Sequence, residues 1–140
     1  MSIWKSSSIN NLKPWGSESI FASPFGMSGK VIKLSAGNRT SLKYYKRKNQ
    51  LMYILEGSAS VFCPEEREFG DIKSPEGSYF SLQKGDVILI QCGNPYRIKA
   101  LEDSKIIEVC VGCGSTDGYV MLEDDFGRKI ENADSIKNDN

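Results

Sequence analysis

Residues 12–130 are predicted to form a single all-β domain, with short strands closed into a barrel or a double-sheet jelly roll. Three observations lead there. No apolar stripe at helical spacing runs longer than about two turns, whereas short apolar-rich runs recur throughout the chain. Glycine-containing breaks fall where turns between those runs are needed. Strands this numerous in about a hundred residues exceed what one flat sheet holds, and closure removes or protects the exposed edges.

In chain order, Ser19–Ala22 and Lys30–Leu34 come first. Ala36-Gly37-Asn38 breaks the chain before Ser41–Lys46, and Leu51–Leu55 follows. Glu56-Gly57 turns into Ser58–Cys63. The charged stretch Pro64–Glu76 reads as a loop or hairpin extension leading to Gly77–Leu82. Lys84-Gly85-Asp86 opens Asp86–Gln91, and Gly93-Asn94-Pro95 separates it from Tyr96–Leu101. Lys105–Val111 is the last predicted strand. Residues 1–11 and 131–140 are polar and are expected to be flexible ends.

Composition narrows the chemistry. The chain has 140 residues, 39% hydrophobic and 26% charged, with 18 basic and 18 acidic residues and no net charge. No overall field draws it to nucleic acid, and the basic run from Arg39 to Lys48 reads as a solvated strand face. There is no histidine. That excludes Ser-His-Asp and Cys-His catalysis, HExxH metalloproteases and histidine-built metal cups. The amino terminus lacks the apolar segment of a secretory signal, and the longest strongly apolar stretches, such as Val87–Ile90, are far too short to span a bilayer. A cytoplasmic protein with no membrane partner is expected, its four cysteines as free thiols. Cys110 and Cys113 have CxxC spacing, but Cys110 ends an apolar strand, so the pair reads as inert rather than as a redox or zinc site.

The segments Gly37–Gly57 and Gly85–Tyr96 resemble the two signature motifs of the cupin superfamily. Lys13-Pro14-Trp15-Gly16 near the start and Leu122–Arg128 near the end resemble the bookends of one member, the type II mannose-6-phosphate isomerase domain often fused to mannose-1-phosphate guanylyltransferase. Ser41-Leu42, Tyr53–Ala59 and Ile107-Glu108-Val109 are similar to that family's pattern between them. The resemblance implies a cupin double-stranded β-helix and a role in sugar-phosphate, nucleotide-sugar or polysaccharide metabolism. In the family a metal is held by a Gln/His-x-His pair, a glutamate and a histidine. Those positions fall here on Lys43 and Tyr45, Gln50, and Tyr96. An ammonium, two phenols and one amide make a poor ligand set, so the expectation is a cup with no metal and no other cofactor.

On the same register, strand alternation turns Lys43 and Tyr45 into the cup beside Gln50, Met52, Ile54, Tyr96 and Ile98, with Arg97 and Lys99 facing outward. Lys43, with Arg47 or Arg128, would pair with a phosphate or carboxylate, and the tyrosines would receive a sugar ring. The alternative is that these side chains merely fill the barrel. Glu108 lies on an otherwise apolar strand and reads either as a solvent-facing residue or as an inward partner for Lys43. Three functions stay open: a metal-free module binding a small anionic sugar or sugar phosphate; a metal-independent isomerase or epimerase using Glu108, Tyr45 or Tyr96 as acid–base groups; and an assembly domain. A homodimer is expected.

Overall fold

A computed structural model describes residues 3–64, 77–111 and 119–127. Strands β1 (Ile9–Lys13), β2 (Gly16–Ala22), β3 (Met27–Leu34), β4 (Leu42–Tyr45), β5 (Gln50–Glu56) and β6 (Ser58–Pro64) form the first half. Strands β7 (Gly77–Gln83), β8 (Val87–Ile90), β9 (Arg97–Ala100), β10 (Ser104–Val111) and β11 (Tyr119–Glu123) form the second. All nine predicted strands are present. The two additions are β1 and β11. β1 pairs antiparallel with β2, so residues 9–11 of the segment expected to be flexible are strand. No helix among the described residues is long and apolar enough to cross a membrane.

The larger sheet has the order β1-β2-β3-β10-β5-β8, antiparallel throughout. Opposite it, β7-β6-β9 continues through backbone bridges Arg39↔Lys99 and Lys43↔Tyr96 to β4, which pairs with β11. The jelly roll predicted from sequence is therefore the observed architecture. Strand alternation sends every second side chain between the sheets. Trp15, Leu34, Ile54, Ala59, Ile98, Ala100 and Ile106 form much of a core at one end of the barrel.

The register then divides the interior into layers. Ile106 of β10 lies opposite Ile32 of β3 and Ile54 of β5, which makes an apolar layer. Two residues further along β10, Glu108 lies opposite Lys30 and Met52. Gln50, inward-facing at the start of β5, lies opposite Ile90 of β8. One end of the barrel is thus hydrocarbon and the other holds buried charge.

Arg97 departs from the sequence expectation. It faces away from the cup but is buried, because β11 and the residues after it cover it. Its guanidinium donates to the Thr40 carbonyl (3.2 Å), to Glu123 (3.3 Å) and to Asp125 (3.4 Å). Arg39 donates to both carboxylate oxygens of the same Asp125. These contacts hold β11 and the residues just after it against the smaller sheet. Arg97→Ala is expected to cost about 1–3 kcal/mol, since a buried carbonyl and two carboxylates lose a charged donor. Arg39→Ala, on a more exposed pair, should cost less than about 1 kcal/mol. Urea unfolding of the two variants checks the ordering.

Candidate functional site

The polar end of the barrel is built from β2, β3, β4, β5, β10 and the segments flanking them. Glu108 is 1% exposed and inward-facing, so the solvent-facing alternative fails, but the ammonium it pairs with is Lys48 rather than the expected Lys43. It accepts a hydrogen bond from the Gln50 side-chain amide, which also donates to the Tyr96 hydroxyl at 2.6 Å. Its other oxygen lies 3.5 Å from the Lys48 ammonium, and both side chains are enclosed. A second buried pair, Lys30 with Glu18 at 3.5 Å, lies alongside, and Lys13 reaches Glu18 at 3.6 Å.

Tyrosine rings separate these charges. The Lys48 ammonium lies 4.0 Å from the Tyr45 ring centre and the Lys30 ammonium 5.9 Å. The Lys43 ammonium lies 5.0 Å from the Tyr96 ring centre. A ring face carries partial negative charge and attracts a desolvated ammonium. Tyr119 of β11 packs against Tyr45 at 5.4 Å, and its hydroxyl lies 3.4 Å from that of Ser41.

Protonation states follow from these neighbours. Burial pushes the Glu108 carboxyl up, but Lys30, Lys48, the Gln50 hydrogen bond and Lys43 outweigh it and hold the group below the usual glutamate range. Burial lowers Lys30, but Glu108 and Glu18 more than reverse it. For Lys48 burial wins over the attraction of Glu108, and its pKa falls. Burial, then Glu108, pushes the Tyr45 and Tyr96 phenols well up, so both are neutral near pH 7. The site therefore presents lysine amines and neutral phenol hydroxyls, while Glu18 and Glu108 are each paired with a lysine.

Of the residues singled out from sequence, the structure brings Tyr45, Gln50, Tyr96 and Glu108 together in the barrel and places Lys43, partly exposed, against Tyr96. Arg47 is exposed on the bend after β4. Arg128, Cys113 and residues 65–76 lie outside the described residues. Cys110 is a buried free thiol 3.0 Å from the Ser28 hydroxyl. Sequence reasoning missed Glu18, Lys30, Lys48 and Tyr119. Lys30 carried a signal, since it shares strand parity with Ile32 and Leu34. Lys48 carried none: simple alternation puts it opposite Lys43 and Tyr45, but β4 ends at Tyr45 and the bend at Lys46-Arg47 turns it inward.

No family model and no curated protein matches the sequence. Solved structures do match the fold. The chain is similar to oxalate decarboxylase from Bacillus subtilis, with a TM-score of 0.69 and 20% identity over 82% of this chain and 30% of that one. It is similar to the formate complex of the Lactobacillus farciminis oxalate decarboxylase, with a TM-score of 0.68, 16% identity, and 82% and 34% of the two chains covered. It is also similar to KdgF from a Halomonas species, with a TM-score of 0.61, 21% identity, and 78% and 96% covered. The chain thus spans about a third of each decarboxylase's length.

Mn(II) centres are described for the Bacillus decarboxylase, so the fit of such an ion to this cup is a direct question. The residues do not fit it. Among the described residues no group of three or more His, Cys, Asp or Glu side chains could hold a metal ion. Glu108 already faces an ammonium 3.5 Å away, which would repel a divalent cation beside it. The antiparallel two-sheet architecture and these structural matches establish the fold of this chain as the cupin jelly roll.

Proposed function

We propose that this chain is a metal-free cupin that binds a small anionic sugar, with a sugar phosphate as the first candidate, and does not turn it over. The observation that carries the reading is the grouping of Lys30, Lys43 and Lys48 on the faces of Tyr45 and Tyr96 around one end of the barrel. Lys43 is the partly exposed member and is the residue assigned to meet the anion. Ammonium groups attract phosphate or carboxylate, and tyrosine supplies both a ring face and a hydroxyl to a sugar. The likeness of Lys13–Gly16, Tyr53–Ala59 and Leu122–Arg128 to type II mannose-6-phosphate isomerase supports a sugar phosphate over other anions.

For the three acid–base candidates Glu108, Tyr45 and Tyr96, the protonation states favour binding over isomerisation or epimerisation. A general base works best with a pKa near the working pH. Glu108 is held below the carboxylate range by its lysines, and the phenols of Tyr45 and Tyr96 are pushed far above neutrality.

Mannose 6-phosphate is expected to raise the melting temperature more than mannose or inorganic phosphate alone. Lys43→Ala should weaken that binding roughly 10–100-fold, the usual cost of losing a charged hydrogen bond. Isothermal titration of the wild type and the variant measures it. No binding of any sugar phosphate overturns the reading, and so does turnover of mannose 6-phosphate, with or without added Zn²⁺ or Mn²⁺.

A further inference from the structure

A cleft lies on the outside of the larger sheet, over the hydrocarbon end of the barrel. Register puts five side chains in one line across five strands: Leu12, Ser17, Lys33, Lys105 and Glu56, on β1, β2, β3, β10 and β5. All five line a cleft of about 400 Å³, within the size range of small-molecule sites. Ser35, just after β3, and Asp103, just before β10, line its end, where the Ala36 amide donates to the Asp103 carboxylate at 2.8 Å. Backbone contacts fix the walls. The Ser35 amide donates to the Trp15 carbonyl at 3.0 Å, and a Cβ added at Gly16 would run into the Lys33 carbonyl. Lys105 is three residues from Glu108 on β10 and faces the other way, so the cleft is separated from the cup by the sheet and by ~10 Å along the strand.

We infer that this cleft is a second binding site, for a phosphate monoester whose organic part is about the size of a sugar and carries hydroxyls. The placement of charge carries the inference. Lys33 and Lys105 stand directly opposite each other on antiparallel strands, and like charges so placed repel. Lys105 has one counter-charge, the largely exposed Glu56 at 3.7 Å. Among the described residues no carboxylate lies within ion-pair distance of Lys33. A dianionic phosphate between the two ammoniums removes the repulsion and accepts charge-assisted hydrogen bonds from both. The same two lysines repel a cationic ligand. The other groups suit the organic part. The Ser17 and Ser35 hydroxyls make no hydrogen bond among the described residues, and each can donate or accept. Glu56 and Asp103 accept from ligand hydroxyls, and Leu12, 86% exposed, offers an apolar side chain to a C–H face. The cleft has room beyond a phosphate group, which is why an ester is assigned rather than the free ion. The inference is independent of what the cup binds.

Amide chemical shifts of the isotope-labelled full chain, titrated with mannose 6-phosphate and with ribose 5-phosphate, locate binding residue by residue. At least one ester is expected to move the amides of Ser17, Lys33, Glu56, Asp103 and Lys105 saturably, and to do so equally in Lys43→Ala. Lys33→Ala and Lys105→Ala, both on the sheet surface, should each weaken that binding roughly 10-fold, whereas Lys33→Arg retains it. Inorganic phosphate and mannose should each bind the cleft roughly 10-fold more weakly than the ester. Shifts confined to the cup, at amides such as Lys43 and Gln50, overturn this inference and leave the cup reading standing. Shifts confined to the cleft sustain it and count against the cup reading. No saturable shift at the cleft with either ester overturns it. So does cleft binding that survives both alanine variants, or that inorganic phosphate matches in affinity.

Discussion

Glu108→Ala is expected to lower the free energy of unfolding by about 3–5 kcal/mol, the cost of breaking a buried ion pair from one side. The carboxylate is 2% exposed and the Lys48 side chain fully enclosed, so water cannot replace what is lost. The same substitution takes an acceptor from Gln50 and a counter-charge from Lys30. Replacing both members, Glu108→Leu with Lys48→Met, should recover much of the loss, because two well-packed apolar groups leave no charge to solvate. Acid titration gives a second readout. Glu108 is depressed in the folded chain relative to its ordinary 4.5, so the unfolded state binds more protons as pH falls below that value. The stability it contributes is present above pH 4.5 and is lost as pH falls toward the folded value. Glu108→Gln should therefore flatten the acid limb of the stability curve, with little change of slope above about pH 5. A Glu108→Ala melting temperature within a few degrees of wild type would show that the carboxylate does not lie among these lysines.

Gly57→Ala is expected to be among the most damaging glycine substitutions, at about 3 kcal/mol or more. Gly57 turns β5 into β6 at φ +83°, a left-handed conformation that costs an L-residue ~1–2 kcal/mol. Steric overlap costs more than the backbone conformation does. A Cβ at Gly57 would run into the Asp103 carbonyl, the Ser104 hydroxyl at 2.5 Å and the Ser104 Cα at 2.9 Å. Two of these are backbone, at the start of the strand that carries Glu108, so relief requires β10 to shift against β5. Gly37 is the control. It also has positive φ, +82°, but nothing lies within 4 Å of its added Cβ. Gly37→Ala should cost only the conformational strain, about 1 kcal/mol. Equal losses for the two variants in urea unfolding would refute the packing argument.

Local patterns in the chain were enough to specify the fold class, nine of the strands and the set of residues that reach the barrel interior from β4, β5 and β9. Those features rest on short-range physics: period-two alternation, and glycine at turns such as Glu56-Gly57 and Lys84-Gly85-Asp86. The strand β1, Ile9–Lys13, escaped because its composition is polar and only hydrogen bonding to β2 makes it a strand. The placement of the charges came from tertiary contacts. Glu108 meets Lys30 and Gln50 because β10 lies between β3 and β5, although Gln50 is 58 residues away in the chain. Lys48 enters the barrel because a bend ends the alternation of β4, and Arg97 is buried because β11 returns over it. Alternation fixes which way a side chain points relative to its neighbours. Which side chains it meets there depends on the register of strands remote in sequence, and no local pattern encodes that.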